Sequence, residues 1–271
     1  MTITLFAMSD IHGYYPEMTA RINQILPGVA DGTDQLILLG DYIDYGPRAG
    51  RTLQFIYNLQ KDHPGNVIVL RGNHEEMFLE WLDTYTGPHA GEPDESGMIP
   101  WNDWLMTDPD FQTFRTLVTA PQWEFFTQVM KTLSEDSLNM EAAKMVLESN
   151  RELISWLREL PYYYETETQI FVHAGIDEET RDWWKQATPE CTFVGKYPAT
   201  TGTFYKDIIA GHVSTATLAG DRDFHDIFYD GQSHYYIDGT VNASGQIPVL
   251  AYEEGKKNYC ALLEDGTFCP L

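Results

Sequence analysis

Five short motifs that combine Asp, Asn or His with Gly recur along this chain, and most of them follow a short apolar run. In chain order they are Asp10-Ile11-His12-Gly13, Gly40-Asp41-Tyr42-Ile43-Asp44, Gly72-Asn73-His74-Glu75, His173-Ala174-Gly175 and Gly211-His212. Carboxylate, amide and imidazole ligands without a thiolate suit Mn, Fe or Zn. Because side chains at the ends of separate strands can converge on one point, the motifs predict a metal centre and an enzyme.

Six side chains of these motifs are candidate metal ligands. They are Asp10, His12, Asp41, Asn73, His173 and His212. Asp10 and His12 are two residues apart, so both can reach one cation from an extended turn. The carboxylate of Asp41 has two oxygens and can bridge two cations. Two divalent cations about 3.5–4 Å apart would clamp a phosphoryl group and produce a hydroxide that attacks phosphorus in line.

His74 and Asp44 are the candidates for acid catalysis, since the leaving alkoxide of such a reaction needs a proton. His74 directly follows a predicted ligand, which would place its ring over the cations. A hydrogen bond to Asp44 would orient that ring and favour the imidazolium, making His74 a general acid. Glu75 is expected to support the same loop from outside the ligand set.

The elements that must position these residues begin with an alternation of apolar runs and helical patterns, which is typical of parallel βαβ units. The predicted strands cover residues 2–9, 34–39 and 66–70, and the predicted helices cover 15–26, 51–60 and 75–85. Residues 86–160 predict a helical insert packed on a single domain of residues 1–271. Its aromatic side chains are interpreted as helix-packing core, with a wall over the substrate cleft as the alternative. After Pro161, short apolar runs separated by turn signals predict a largely antiparallel second sheet.

The composition limits the classes of partner. The chain has 271 residues, of which 43% are hydrophobic, and a formal net charge of −24. This acidity argues against nucleic acid and anionic membranes as partners, because phosphate backbones require basic surfaces. It also repels an anionic substrate unless local cations reverse the field, as bound divalent metals would. Three cysteines in no metal-binding spacing, with no signal peptide, predict free thiols and a cytoplasmic location.

The motif set DIHG, GDYIDYG, RGNHE, HAG and GH resembles the phosphoprotein phosphatase family of the calcineurin-like metallophosphoesterases. Bacterial and lambda-type serine/threonine phosphatases and symmetrical diadenosine tetraphosphatases are the most similar branches. The resemblance covers residues 2–76 closely and returns at 169–175, 207–213 and 235–241. It implies an α/β sandwich of two mixed β-sheets flanked by helices.

The same resemblance implies a role for each site residue. It places one metal on Asp10, His12 and Asp41. It places the other on Asp41, Asn73, His173 and His212. It makes His74 and Asp44 the acid pair.

Departures from the family pattern concern the groups that would bind substrate. Tyr45 stands where relatives have an Arg that grips phosphate, and a Tyr cannot form a bidentate fork. Tyr45 either contacts substrate or packs in a Tyr-rich wall, and Arg48 is the candidate replacement cation. Lys185, two residues after Trp183, stands where relatives have a second Arg and either contacts phosphate or is solvated. Arg71 either touches substrate or pairs with a nearby carboxylate.

These observations predict a hydrolase that cleaves phosphate monoesters with two divalent metals, by direct attack of a metal-bound hydroxide. Its substrate would be a phosphorylated protein or a small phosphoester. A symmetrical dinucleoside polyphosphate hydrolase, whose insert stacks adenine, is the first alternative. A catalytically weak metal-binding relative that lost its grip on phosphate is the second. The sequence does not indicate an oligomeric state.

Overall fold

Two β-sheets lie face to face between layers of helices. The computed structural model describes residues 3–92, 100–256 and 258–271. Its strands are β1 (Thr4–Met8), β2 (Asp34–Leu38), β3 (Val67–Val69), β4 (Tyr163–Glu165), β5 (Gln169–Val172), β6 (Asp207–Ala210), β7 (Phe228–Tyr229), β8 (His234–Tyr236), β9 (Leu250–Glu253), β10 (Asn258–Leu262) and β11 (Phe268–Pro270). Its α-helices are α1 (Tyr15–Ala30), α2 (Ala49–Asp62), α3 (Asn73–Thr86), α4 (Trp104–Thr107), α5 (Gln112–Leu117), α6 (Ala120–Val129), α7 (Glu135–Ser149), α8 (Arg151–Glu159), α9 (Trp184–Ala187), α10 (Glu190–Gly195), α11 (Thr215–Ala219) and α12 (Val241–Ser244). None of these helices combines the length and the apolar character needed to cross a membrane.

The first sheet has the strand order β11-β10-β9-β1-β2-β3. β1, β2 and β3 are parallel, as the alternation of strands and helices predicts. On the other side of β1, the strands β9, β10 and β11 follow in antiparallel pairs. The sheet is therefore mixed, with its parallel half carrying the first three motifs.

The second sheet has the strand order β4-β5-β6-β8-β7. β5, β6 and β8 are parallel, and only the edge strands β4 and β7 pair antiparallel. The prediction of a largely antiparallel second sheet is wrong, because its centre is parallel and because β9 and β10 join the first sheet. An apolar run marks a buried strand but does not encode its partner. The fold class of two mixed sheets flanked by helices is confirmed.

Alternating side chains of the strands separate the apolar layers. In β1, Leu5 and Ala7 belong to the cluster between the sheets, whereas Phe6 and Met8 belong to the cluster beneath the helices. This is the period of two expected of a strand that is covered on both faces. The outer face of the second sheet is covered by a third cluster around Trp184. The layer order is therefore helix, sheet, sheet, helix.

The aromatic insert packs against the helices of the first layer. α7 contacts α3, and α5 contacts α2. Trp104, Phe114 and Phe126 are buried in the same apolar cluster as the side chains of β1 and α1, whereas Trp101 is exposed. Most of the described aromatic side chains of the insert thus pack in the core, as the interpretation of helix-packing core predicts, and do not form a wall over the substrate cleft.

His234 on β8 is enclosed by two carboxylates. Its Nε2 lies 3.1 Å from Oε2 of Glu178, and its Nδ1 lies 3.1 Å from Oδ2 of Asp230 and 2.9 Å from the carbonyl of Gly202. Burial alone would lower the pKa of His234, but Glu178 and Asp230 outweigh burial and raise it. Both ring nitrogens face oxygens that only accept, so the surroundings favour the imidazolium, which donates from each nitrogen.

Replacing His234 with Gln is expected to destabilise the fold by about 2–4 kcal/mol near pH 6, because Asp230 loses its cation and Glu178 keeps only Lys196. Since the folded pKa is raised, the stabilisation is complete below the unfolded pKa of 6.5 and is lost as the pH rises through the folded pKa. Denaturant unfolding of both proteins between pH 5.5 and 9 measures this, and the difference in unfolding free energy should shrink with rising pH. A difference that stays constant over that range would contradict the charge assignment.

Candidate metal centre

Each candidate ligand follows a strand or begins a helix at one edge of the two sheets. Asp10 and His12 follow β1, and Asp41 follows β2. His173 directly follows β5, and Asn73 is the first residue of α3. His212 follows β6. These are carboxyl ends of parallel strands, where α/β sheets place their ligands.

The backbone at this edge is strained where the ligands stand. Non-glycine residues with positive φ include four of the candidate ligands and two neighbours, namely Asp10, His12, Asp41, His212, Asp44 and Tyr45. Each such conformation costs on the order of 1–3 kcal/mol and persists only where the surroundings enforce it. Such strain clusters at functional sites, and here it aims side chains at one point.

Close backbone approach also requires glycine beside two ligands. A Cβ at Gly211 would collide with Oδ2 of Asp10, and a Cβ at Gly72 would collide with Oδ1 of Asp41. The space left by these glycines lets main-chain N–H groups reach the carboxylates. The amide of His212 donates to Oδ2 of Asp10 at 3.1 Å, and the amide of His74 donates to Oδ1 of Asp41 at 3.1 Å.

Asp41 lies at the centre of the candidate ligands. Its Oδ2 is 3.4 Å from Nε2 of His173 and 3.8 Å from Nε2 of both His12 and His74. Burial alone would raise the pKa of Asp41, but His173 and His74 outweigh burial and hold it well below its usual range. The carboxylate is therefore ionised and shared by the surrounding rings.

Main-chain carbonyls orient two of the histidines. Nδ1 of His12 donates to the carbonyl of Ile43 at 2.9 Å, and Nδ1 of His173 donates to the carbonyl of Leu39 at 3.0 Å. A carbonyl only accepts, so each Nδ1 carries a proton and each Nε2 is the nitrogen turned toward Asp41. This is the usual way in which a protein fixes a metal-binding imidazole.

Asn73 joins the remaining two histidines. Its Oδ1 lies 2.9 Å from Nε2 of His173 and 3.0 Å from Nδ1 of His212. Ligands around one cation with bonds of about 2.0–2.2 Å stand roughly 3 to 3.5 Å apart, so this spacing fits a shared cation. Burial, followed by the charge of His173, lowers the pKa of His212 to about 4, which leaves that ring neutral and able to bind metal.

Burial and mutual charges shift the pKa values of two further candidate ligands. Burial raises the pKa of Asp10 to about 6. His173 has a pKa of about 9, because Asp41 and Asp10 outweigh the effect of burial. A divalent cation would neutralise the same carboxylates and release the proton of His173, as metal binding generally does. The donor set therefore fits divalent metal.

Two groups of possible ligands share Asp41. One contains His12, Asp41 and His74, and the other contains Asp41, His173 and His212. Within each group the ligand atoms lie within 4.8 Å of one another. Asp10 borders the first group, with Oδ1 4.0 Å from Nε2 of His12. All six predicted ligands are thus brought together.

His74 and Asp44 are paired beside this centre, as the sequence predicts. Nδ1 of His74 lies 2.6 Å from Oδ2 of Asp44. Burial alone would lower the pKa of His74, but Asp41 and then Asp44 outweigh it and raise the pKa to about 9. The ring is an imidazolium whose Nε2 faces the metal ligands.

Trp104 is a residue of the site that sequence reasoning missed. Its indole Nε1 donates to Oδ2 of Asp44 at 3.2 Å, the same oxygen that contacts His74. It lies 60 positions from Asp44 along the chain, and the sequence places it only among aromatics that either pack in the core or form a wall over the substrate cleft. No spacing in the sequence links the two residues.

Replacing Trp104 with Phe is expected to keep the buried ring but free Asp44 from the indole. We expect kcat for a phosphoester to fall roughly 3- to 10-fold, as for the loss of one hydrogen bond worth about 1 kcal/mol. Metal content should not change. Steady-state kinetics and elemental analysis measure both, and an unchanged kcat would show that the indole does not position the pair.

Glu75 holds the loop that carries Asp41. Its carboxylate accepts from the amides of Asp41 at 2.9 Å, Tyr42 at 2.8 Å and Gly72 at 3.1 Å. Burial raises the pKa of Glu75 to about 7. The supporting role expected of this residue agrees with these bonds. The Tyr42 hydroxyl, which sequence reasoning missed, lies within donating distance of the carbonyls of Leu38, at the end of β2, and Leu70, just after β3.

Tyr45 is the one proposed substrate contact that touches the ligands. Its ring centre is 4.9 Å from that of His12 and 5.2 Å from that of His74, and the residue is 49% exposed. Arg48 is exposed, and its main-chain N–H donates to the carbonyl of Gly13. Tyr45 therefore covers part of the centre and faces solvent.

Arg71 and Lys185 are engaged by carboxylates. The guanidinium of Arg71 is buried, lies 2.8 Å from Glu76 and bonds to the carbonyl of Leu157 at 3.0 Å. The sequence offers two roles for Arg71, a substrate contact or an ion pair with a nearby carboxylate, and the contact with Glu76 is such an ion pair. Lys185 pairs with Glu165. Both cations are thus paired with carboxylates that are not candidate metal ligands.

Comparison with known proteins identifies the class. Residues 3–236 match the family described as calcineurin-like phosphoesterase, so the chain belongs to that family. Members of this family use divalent metals, and the candidate centre described above supplies groups able to bind them. The family inferred from the motifs is confirmed.

The named activities of individual relatives differ from one another. A symmetrical bis(5'-nucleosyl)-tetraphosphatase of Neisseria gonorrhoeae is 33% identical over 132 residues, covering 44% of each chain. A putative serine/threonine-protein phosphatase of Caenorhabditis elegans is 34% identical over 68 residues, covering 25% of this chain and 18% of that one. The structure of a cold-active protein-tyrosine phosphatase from a Shewanella species has a TM-score of 0.56 at 17% identity, covering 99% of this chain and 80% of that one, and shows the shared fold. The chain spans less than half the length of the first of these relatives.

Proposed function

We propose that this protein hydrolyses phosphoric monoesters with two divalent cations and with His74 as general acid. The observation that carries the proposal is the position of His74. Its Nδ1 is held by Asp44 at 2.6 Å, while its Nε2 lies 3.8 Å from the central carboxylate of Asp41. A proton donor thus stands directly beside the predicted metals, where a leaving oxygen would need it.

The residues fit the proposed cations in the arrangement implied by the resemblance. Asp10, His12 and Asp41 would hold one, and Asp41, Asn73, His173 and His212 would hold the other. Bound there, such cations supply Lewis acidity and lower the pKa of water. Mn, Fe and Zn all accept this set of oxygen and nitrogen ligands.

The protein's own groups would orient and protonate the substrate. His74 donates a proton from Nε2 to the leaving oxygen, and Asp44 keeps its Nδ1 protonated through the reaction. A pKa of about 9 makes His74 a weak acid at neutral pH, but nearby cations would lower it toward the useful range. Tyr45, over the rings of His12 and His74, excludes water on one side and offers one hydroxyl.

A phosphorylated protein or a small phosphoester is the proposed substrate. A symmetrical dinucleoside polyphosphate is the second candidate, supported by the name and the 33% identity of the gonococcal relative. The cytoplasmic location expected from the cysteines stays a prediction, as does the identity of the metals.

The test compares three substrates with one protein. Metal-stripped protein is reloaded separately with Mn, Fe or Zn and assayed on p-nitrophenyl phosphate, a phosphoserine peptide and diadenosine tetraphosphate. We expect metal-dependent cleavage of both monoesters. A kcat/KM for the dinucleotide that is higher by orders of magnitude would favour the second candidate. Full metal occupancy with no activity on any of the three would indicate the catalytically weak relative.

A further inference from the structure

A cavity of about 590 Å³ lies between α1, the end of β10 and the segments 225–227 and 245–249. None of the candidate metal ligands lines it, and neither do His74, Asp44 and Tyr45. Its volume lies within the range of small-molecule sites. A ligand bound here would occupy a site separate from the metal centre.

Unpartnered polar atoms are concentrated at this cavity. Among the described residues, eleven buried side-chain nitrogen and oxygen atoms have no hydrogen-bond partner, and five of the eleven belong to residues that line it. They are Glu17 Oε2, Arg21 Nε, Arg21 Nη1, Gln24 Oε1 and His225 Nδ1. Because buried polar groups are usually hydrogen-bonded, this concentration marks partners that a ligand would supply.

Arg21 is the strongest of these signs. It is 8% exposed, and the one hydrogen bond of its guanidinium among the described residues goes from Nη2 to the carbonyl of Leu262. Burial lowers the pKa of Arg21, and the charge of Glu264 partly opposes this effect. Arg71, by contrast, is buried with Glu76 as its counterion. Water could accept from Nε and Nη1 of Arg21 but would leave the charge uncompensated, so a carboxylate is the fitting partner.

Glu17 brings the opposite charge to the same cavity. It stands one turn before Arg21 on α1, and side chains four residues apart lie on one face of a helix. No hydrogen bond joins the two among the described residues, and Glu17 Oε2 and Gln24 Oε1 lack a donor. Two further lining residues, Asp226 and Glu264, are exposed carboxylates. A phosphate would therefore satisfy Arg21 but face three carboxylates, and a simple cation would leave Arg21 unpaired.

We propose that this cavity binds a zwitterion, namely a free α-amino acid with an apolar side chain. Its carboxylate would pair with Arg21, and its ammonium would donate to Glu17 and Gln24. Ile247 and Val249 are buried lining residues that would cover the apolar side chain. A ligand without net charge is not repelled by a protein of net charge −24. This binding is independent of the hydrolytic reaction.

The experiment titrates the full, metal-loaded chain with L-leucine and with two fragments of leucine, by isothermal titration calorimetry. Isocaproate lacks the ammonium group, and isopentylamine lacks the carboxylate. Leucine should bind about tenfold more tightly than either fragment, or better, because each fragment loses one bond between charged groups. Saturating inorganic phosphate should not displace leucine, since phosphate does not fit the carboxylates of this cavity.

Two variants assign the two charges. Arg21→Met should lower the affinity for leucine about tenfold or more and leave the affinity for isopentylamine unchanged. Glu17→Gln should weaken the binding of leucine and isopentylamine but not of isocaproate. Arg151→Met and Glu152→Gln are the matched controls, because both residues are exposed on α8 and do not line the cavity. Both controls should bind leucine as the wild type does.

Several outcomes would overturn the inference. They are no binding of leucine, equal affinity for leucine and either fragment, tighter binding of phosphate, or displacement of leucine by phosphate. Unchanged leucine affinity in Arg21→Met or Glu17→Gln, or a loss in the controls as well, would also overturn it. If Arg21→Met does not fold, Glu17→Gln and the two fragments decide the question. Calorimetry measures binding and not turnover, so a failure of the proposed hydrolase activity would be seen separately.

Discussion

The Asp41→Asn variant is expected to bind divalent metal poorly and to lose nearly all turnover. Asp41 belongs to both groups of possible ligands, and its Oδ2 is 3.4 Å from His173 Nε2 and 3.8 Å from His12 Nε2. An amide of the same shape has no charge and one oxygen, so it cannot bridge two cations. Loss of a group that only supports a metal ligand lowers metal affinity or activity by about 10- to 100-fold. Because Asp41 is itself a shared ligand, we expect its replacement to lower kcat by more than about 1,000-fold.

Elemental analysis after dialysis and kcat on p-nitrophenyl phosphate measure the two effects of Asp41→Asn. Asp62→Asn is the control, since Asp62 is an exposed residue at the end of α2 and changes the same functional group outside the site. It should keep metal and rate. An Asp41→Asn protein with two equivalents of metal and a kcat within tenfold of wild type would contradict the bridging role.

The His74→Asn variant is expected to keep its metal but to lose about 10²- to 10⁴-fold in kcat on a phosphoserine peptide, the usual contribution of a general acid. The six predicted ligands are intact in this variant. The loss should be much smaller on p-nitrophenyl phosphate, because p-nitrophenolate leaves without needing a proton. This difference between substrates separates proton donation from a general disturbance of the site.

Both substrates are assayed at equal metal occupancy, with His63→Asn as the control. His63 caps the end of α2 and is not part of the site. Equal losses on the two substrates would show that His74 binds phosphate or metal instead of donating a proton. Reduced metal content would support its membership of the ligand group with His12 and Asp41.

The convergence of the candidate ligands could be predicted from sequence because their positions are encoded locally. Each predicted ligand is an Asp, Asn or His at the end of an apolar run or at the start of a helix, and parallel strands bring such ends together. Asp44 could be assigned for the same reason, since it lies in the loop after β2. The order of the motifs along the chain supplied the resemblance to the family.

The remaining errors and omissions depend on contacts between distant segments. β9 pairs with β1 although about 240 residues separate them, and no feature of an apolar run specifies such a partner. Trp104 reaches Asp44 across 60 positions. Whether a cation serves substrate or structure depends on its neighbours, and only the structure shows that Glu76 holds Arg71 and Glu165 holds Lys185.

Anomalous diffraction from crystals grown with excess Mn²⁺ tests the central claim most directly. We predict two anomalous peaks about 3.5–4 Å apart, with a carboxylate oxygen of Asp41 within about 2.0–2.3 Å of each. His12 should ligate only the first ion, and Asn73, His173 and His212 only the second. A single ion, ions bound elsewhere, or no peak between these residues at saturating metal would contradict the account.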